Sequence, residues 1–124
     1  MKKIVFLLLG VMLAVSCQKL DDNGDLGGNW KLLQIEEFER DTIINTKMDD
    51  CFWAIQLDLL QIGYNFGRFY HIGDSLIVQM INVPYNLKKY GLYNPKNDRF
   101  EVIHLDRKKM ILKSKYAELD FRKF

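Results

Sequence analysis

The chain contains 124 residues with a formal net charge of +2, and 48% of its residues are hydrophobic and 13% aromatic. This length is typical of a single domain. A net charge so close to zero provides no long-range attraction for polyanions, which argues against nucleic acid as a partner.

The first 16 residues have the three zones of a signal peptide. Lys2 and Lys3 form a positive start, and the apolar stretch from Ile4 to Val15 is interrupted only by Gly10. This stretch is shorter than the roughly 20 residues that a membrane-spanning helix needs. It ends in small residues, as export signals do. We therefore expect residues 1–16 to be removed on export.

Cys17 follows this segment directly. The sequence LAVSC resembles the lipobox of bacterial lipoproteins, although Ala14 stands where leucine is usual. The resemblance implies that Cys17 is acylated, becomes the first residue of the mature chain and anchors it to a lipid bilayer. The alternative is an ordinary export signal that leaves Cys17 as a free thiol.

Residues 17–26 comprise the lipidated cysteine and a predicted flexible tether, because the segment is polar and contains glycine. Its beginning, CQKLDD, resembles the Gln-Lys-acidic run that directs some Gram-negative lipoproteins to the outer face of the outer membrane. We therefore expect an outer membrane lipoprotein of the cell envelope, with exposure at the cell surface as the finer expectation.

Beyond the tether the hydrophobic period is mostly two, which is typical of β-strands. The segment CFWAIQLDLLQI has Cys51, Trp53, Ile55, Leu57 and Leu59 on one face, so we interpret it as one strand buried on one side. Six further segments have strand character: NWKLLQIEEFER, GYNFGRFYHI, DSLIVQMI, RFEVIHLD, KMILKS and YAELDFRKF. The short polar or glycine-containing gaps between them predict hairpin turns.

The segment VPYNLKKYGLYNPKND interrupts this pattern and contains both prolines. Pro84 predicts a short helical turn from Asn86 to Tyr90, and Gly91 predicts its end. Short strands with one such insertion predict an all-β fold. We expect a small antiparallel up-and-down barrel of about eight strands, formed by residues 27–124.

A Gly-x-Trp motif, Gly28 to Trp30, opens the first predicted strand. This motif resembles the lipocalin superfamily, in which the tryptophan closes one end of the barrel. With the lipobox, the central GRFYHIGDSLIV, the insertion and the terminal LDFRKF, the chain is similar to the lipocalin-like lipoproteins of gut-dwelling Gram-negative bacteria. No biochemical activity is assigned to that family, so the resemblance implies a fold and a location but no substrate.

Residues that could carry catalysis or bind a metal form no recognisable constellation. Cys51 lies on an apolar face, which favours a buried thiol over a nucleophile. His71 and His104 lack the spacing typical of zinc ligands. Glu37 and Glu39 share a strand face, which we interpret as exposed to solvent. The sequence therefore predicts no enzyme, no cofactor and no metal site.

Two functions remain open. In the first, the barrel binds a small apolar or amphipathic ligand at its open end, and Arg68 either selects an anion or packs over an aromatic ring. The lining predicted for this pocket comprises Trp53, Ile55, Leu57, Tyr64, Phe66 and Arg68. In the second, the insertion recognises a protein or glycan partner through a surface that comprises Tyr85, Tyr90 and Tyr93.

Overall fold

The computed structural model describes residues 24–81 and 87–124. The predicted signal peptide, Cys17, most of the tether and Tyr85 lie outside these residues, so their roles stay predictions.

Nine strands make up nearly all of the regular structure of the described residues. They are β1 (Gly28–Glu37), β2 (Thr42–Asn45), β3 (Phe52–Gln56), β4 (Leu59–Ile62), β5 (Asn65–Ile72), β6 (Ser75–Met80), β7 (Asp98–Leu105), β8 (Lys109–Lys113) and β9 (Ala117–Lys123). Two short 3-10 turns, Gly24–Leu26 and Lys88–Tyr90, are the helical elements of the described residues. The predicted all-β class is confirmed.

The strands form an antiparallel barrel that closes on itself. From β3 to β9 each strand pairs with the next, and β9 returns to pair with β1. Because β9 occupies one edge of β1, β2 and β3 share the other edge: β2 pairs with residues 34–37 and β3 with residues 28–31. The predicted barrel of about eight strands is confirmed, and its second strand is divided by the loop at residues 46–51.

The segment CFWAIQLDLLQI forms a hairpin, so its prediction as one strand was wrong. β3 and β4 are joined by a turn at Leu57 and Asp58, in which Leu57 has a left-handed φ of 55°. The turn restarts the alternation of side chains, which shifts the buried set to the other parity. Leu60 and Ile62 are therefore buried, whereas Leu57 and Leu59 are exposed.

Successive strands run in opposite directions, so the connections lie at two opposite ends of the barrel. The N-terminal end carries the start of β1, the end of β9 and the β3–β4, β5–β6 and β7–β8 turns. The insertion end carries the β1–β2, β4–β5 and β8–β9 turns and the long β6–β7 connection, whose described part is residues 87–97.

Trp30 closes the N-terminal end. Its side chain is fully buried, and its Nε1 donates a hydrogen bond to the Leu26 carbonyl at 2.8 Å. The Nζ of Lys123 lies 4.5 Å from the centroid of the indole ring and donates to the carbonyls of Asp25 and Gly27. Leu26 is also fully buried. The packed domain therefore begins before Gly27, earlier than the predicted end of the tether.

The insertion closes the opposite end. Its 3-10 turn ends at Gly91, as predicted, and Gly91 has a φ of 90°. Leu87 and Leu92 flank the turn and are buried in the barrel. The carbonyl of Tyr90 accepts a hydrogen bond from Nε1 of Trp53 at 2.9 Å, so the insertion is joined to the core by packing and by a buried polar contact.

Large side chains fill the interior between the two ends. Trp53 packs edge-on against Phe100 and Phe121, with ring centroids 5.8 and 4.8 Å apart. The alternation predicted for the last strand is confirmed, since Ala117, Leu119 and Phe121 are all fully buried. The closed barrel and its buried core are formed within residues 24–81 and 87–124, so we expect the chain downstream of Cys17 to fold by itself.

Candidate functional site

The residues predicted to line a pocket do not lie together. Trp53 and Ile55 point into the barrel, where neighbouring side chains cover them almost completely. Leu57 occupies the β3–β4 turn and is 60% exposed. An interior pocket walled by these three residues is therefore not what the fold builds.

The remaining three predicted residues lie on the outer side of the sheet. Tyr64 is 95% exposed in the β4–β5 turn, and Phe66 and Arg68 are exposed on β5. Gly67 and Phe69 hold the buried positions of β5. The segment predicted as one strand is a hairpin, so β4 lies between β3 and β5 and the residues that face inward change.

An open groove with a volume of about 960 Å³ lies on the outer face of β3 and β4, between Phe124 at the N-terminal end and the insertion at the other. We call it the outer groove. It is lined by Asn29, Met48, Asp49, Asp50, Cys51, Phe52, Ala54, Gln61, Gly63, Tyr64, Lys89, Tyr90 and Phe124. The loop that divides the second strand, the β4–β5 turn and the insertion thus meet around one concavity.

The outer groove combines aromatic surface with charges of both signs. Phe52 and Phe124 contact each other edge to face, with ring centroids 5.3 Å apart. Tyr64 is almost fully exposed on another side of the groove. Asp49 and Asp50 contribute carboxylates, and they are accompanied by Lys89. Such a lining suits a ligand that has an apolar body and a polar group.

Gly63 holds the two sides of the outer groove close together. Its φ is 60°, a conformation that residues with a side chain rarely adopt. A Cβ at this position would lie 2.6 Å from the Tyr90 hydroxyl oxygen. Glycine is therefore needed both for the backbone conformation of the turn and for the close approach of the insertion.

Cys51 lies at the buried edge of the groove and is 3% exposed, which confirms the predicted buried thiol. Its Sγ lies 3.4 Å from the carbonyl oxygen of Lys89. Burial, and secondarily the charge of Asp49, raises the pKa of the thiol. The protonated form is therefore favoured, which opposes the thiolate that a nucleophile requires.

The insertion end contains a buried carboxylate, which the sequence did not predict. Glu37 was predicted to be exposed, but it is only 6% exposed and forms an ion pair with Arg40. The hydroxyl of Tyr93 donates to Glu37 Oε2 at 2.6 Å. The hydrogen bonds that Glu37 accepts, those from Arg40 first and then that from Tyr93, lower its pKa from 4.5 to about 2.

A bulge in β1 explains why Glu37 faces inward. The pairing with β9 shifts between Leu32 and Gln34, so the inward positions pass from Trp30 and Leu32 to Ile35 and Glu37. Nothing in the local sequence indicates this shift, since it depends on the register of a strand that lies more than eighty residues later.

The tyrosines predicted as an interaction surface are largely engaged within the fold. Tyr90 is 9% exposed. Tyr93 binds Glu37 and stacks on Tyr116 with ring centroids 5.5 Å apart. The third, Tyr85, lies outside the described residues.

Within residues 24–81 and 87–124, no group of three or more His, Cys, Asp and Glu side chains is placed to hold a metal ion. His104 instead lies 2.7 Å from Asp106 in the β7–β8 turn region, and His71 is exposed. The same part of the chain contains no helix of the length and apolar character that crossing a membrane would require.

Comparison with known proteins identifies the fold family. Residues 11–124 match the family model of the lipocalin-like domain. A lipocalin-like protein from Bacteroides uniformis ATCC 8492 superimposes with a TM-score of 0.64 at 23% identity, covering 82% of this chain and 100% of that one. An uncharacterized protein from Bacteroides eggerthii DSM 20697 has the same TM-score at 16% identity, covering 79% of this chain and 98% of the other.

No protein of curated function matches the sequence significantly. The likeness to the two crystal structures concerns the fold alone, since both identities are low. The family match spans nearly the whole sequence and agrees with the closed antiparallel barrel and its buried Gly-x-Trp tryptophan. The chain therefore belongs to the family of lipocalin-like domains.

Proposed function

We propose that the protein is a non-catalytic lipoprotein of the outer membrane, anchored through acylated Cys17, that binds a small apolar or amphipathic ligand in the outer groove. The observation that carries this proposal is an aromatic groove on the outside of a barrel whose interior is filled. The ligand site is thus moved from the inside of the barrel, where the sequence analysis expected it, to the outer face of β3 and β4.

The lining supports this ligand class. Phe52, Tyr64 and Phe124 supply aromatic surface, and exposed aromatic side chains tend to bind partners that cover them. Asp49 and Asp50 stand at one side of the same groove, where they could pair with a polar or cationic group of the ligand. The chemistry of the groove therefore favours an amphipathic molecule over a purely aliphatic one.

Recognition of a protein or glycan through the insertion is the alternative function. It draws less support from the geometry, because Tyr90 is buried and Tyr93 is held by Glu37 and Tyr116. These contacts leave little of either ring for a partner.

Binding of Nile red, an uncharged dye whose emission depends on its environment, tests the groove. The chain from Gln18 onward should bind the dye saturably, and Tyr64→Ala should weaken binding by about 1–2 kcal/mol, as expected for a central aromatic contact. Tyr70→Ala is the matched control, since Tyr70 is an exposed tyrosine on β5 that does not line the groove. Equal loss in both variants, or no saturable binding, would reject the site.

The anchor requires a separate test. The full chain should partition into the detergent phase of a Triton X-114 extract of bacterial cells, and Cys17→Ala should move it to the aqueous phase. Several acyl chains on one cysteine would hold the protein durably in the detergent phase. Because all of them are attached to Cys17, its substitution should remove the anchor completely. If both proteins partition identically, Cys17 is not the anchor.

A further inference from the structure

Three basic side chains stand next to one another on the outer face of β8, β9 and β1. Arg122 of β9 is directly opposite Lys31 of β1 on one side and Lys109 of β8 on the other. All three point away from the core. Side chains in such positions have Cβ atoms about 4.5–5.5 Å apart, and like charges placed so are destabilising. We call these three residues the basic row.

No carboxylate offsets this repulsion at close range. The ion pairs within 4.0 Å among the described residues are Glu37 with Arg40 and His104 with Asp106, and neither includes the basic row. Lys31 has a contact with an aromatic ring, since its Nζ lies 5.9 Å from the centroid of Phe52. The row is therefore a concentration of positive charge without an ion pair of its own, since Asp120, two residues before Arg122 on the same face of β9, lies more than 4.0 Å from all three basic groups.

A groove with a volume of about 470 Å³ adjoins the basic row. It is lined by Lys31, Leu33, Lys47, Arg122, Lys123 and Phe124, without any acidic residue. Lys123 is already engaged, because its Nζ donates to two carbonyls at the N-terminal end and lies over Trp30. Lys31, Lys47 and Arg122 remain as the cations that face the groove, and Leu33 and Phe124 add apolar surface.

We propose that this basic groove, formed by Lys31, Lys47 and Arg122, binds a phosphate group. The planar guanidinium of Arg122 can donate two parallel hydrogen bonds to phosphate oxygens, while the two lysines act as point charges. A phosphate dianion or diester would also relieve the repulsion within the basic row. The apolar residues beside it suit a phosphate that is attached to an apolar molecule.

The position of the groove brings it close to the proposed membrane anchor. Gly24 lies seven residues after Cys17, and seven fully extended residues span at most about 24 Å. Lys123, one of the lining residues, contacts the backbone of Asp25 and Gly27 directly. This step rests on the proposed function, whereas the basic row does not. The phosphate has two sources under this geometry, the head group of an anionic lipid or a soluble phosphate compound.

Vesicle binding separates lipid from other sources. The chain from Gln18 onward, which lacks Cys17, is mixed with vesicles of phosphatidylcholine alone or with about a third phosphatidylglycerol. A basic residue near an anionic surface changes the partition constant by about fivefold. We expect binding to the anionic vesicles only, and a loss of about 25-fold in the Lys31→Gln, Arg122→Gln double variant.

The matched control is Lys113→Gln with Lys115→Gln, which removes two positive charges near the β8–β9 turn at the insertion end. It should keep most of the binding, because its charges lie at the other end of the barrel. Circular dichroism establishes that both variants are folded. Equal loss in the two double variants would mean that net charge alone drives binding, and would overturn the proposal.

Binding of a soluble phosphate compound is tested in solution without vesicles. Glycerol 3-phosphate should shift the amide resonances of Lys31 and Arg122 saturably, and the Lys31→Gln, Arg122→Gln variant should abolish the saturation. Such shifts without vesicle binding support a soluble ligand, and vesicle binding with selective loss supports the lipid head group. If neither probe binds the wild-type chain, the proposal is wrong. These outcomes are independent of Cys17 and of Tyr64, so failure of the anchor or of the outer groove would be seen separately.

Discussion

The two ends of the barrel are closed in different ways. At the N-terminal end, Trp30 donates a hydrogen bond to the carbonyl of Leu26, only four residues earlier, and the side chain of Lys123 lies over the indole ring. At the insertion end, the cover comes from the β6–β7 connection, and the contact from Trp53 to Tyr90 spans 37 residues. The first closure is recognisable from a short motif, whereas the second depends on where a long connection folds back.

This difference underlies our proposal that a ligand binds outside the barrel. A lipocalin-like barrel with one closed end would leave an opening at the other. Here Leu87 and Leu92 of the insertion are buried at that second end, so the interior becomes core. The same insertion supplies Lys89 and Tyr90 to the outer groove. One segment therefore fills this end of the interior and also lines part of the outer groove, where we propose that a ligand binds.

The largest effect is expected from breaking the N-terminal closure. Trp30→Ala should lower the free energy of unfolding by about 3–5 kcal/mol, because a fully buried indole and its hydrogen bond are lost together. Urea denaturation measures this change. Phe124→Ala, which removes an aromatic residue that is 80% exposed at the same end, is the control and should cost less than about 1 kcal/mol.

Breaking the insertion closure should cost somewhat less. Leu92→Ala removes a fully buried side chain from the insertion and should destabilise the protein by about 2–4 kcal/mol in the same assay. The smaller side chain also leaves a cavity at the end of the barrel. A loss below about 1 kcal/mol would indicate that the insertion is not part of the cooperative core.

A smaller effect should follow from Gly63→Ala, at the point where the insertion meets the β4–β5 turn. The added methyl group would meet the Tyr90 hydroxyl, and the alanine backbone would have to adopt a positive φ. We therefore expect the free energy of unfolding to fall by about 1–3 kcal/mol. Combining it with Tyr90→Phe removes the hydroxyl and should recover part of the loss. Purely additive losses in the double variant would contradict the predicted contact.

The smallest expected effect is the dependence of stability on pH, for which we compare one carboxylate from each end of the barrel. The pKa of Glu37 is lowered from 4.5 to about 2 and that of Asp106 from 3.8 to about 2, chiefly by hydrogen bonds from Arg40 and His104 respectively. Each carboxylate therefore contributes stability above its ordinary pKa, and this contribution is lost as the pH falls towards 2. The free energy of unfolding, measured between pH 6 and 2, should fall accordingly.

Salt distinguishes the two carboxylates. Glu37 is buried beside a partner, Arg40, that is 66% exposed, whereas both members of the His104–Asp106 pair are about half exposed, so salt should screen the second pair more strongly. In 0.5 M NaCl, Glu37→Gln should still flatten the pH dependence, while Asp106→Asn should have little effect. The opposite ranking would place the important charge at the N-terminal end.

The sequence by itself determined the elements that depend on local patterns. Alternation over Ala117 to Phe121 predicted an inward face, Gly91 predicted the end of a helical turn, and the Gly-x-Trp motif indicated a closed lipocalin-like end. These features hold because each is decided by neighbours a few residues away, through side-chain periodicity or a backbone conformation that glycine adopts readily.

Only the tertiary structure decided the features that depend on register and on distant contacts. Two features change which face the following residues present: the turn at Leu57 and the bulge after Leu32, which turns Glu37 inward. No glycine or asparagine in the local sequence indicates either of them. The outer groove and the basic row each join residues that the chain keeps far apart. Strand pairing brings the basic row together, and a shift of one residue in the register of β9 would place Arg122 on the opposite face.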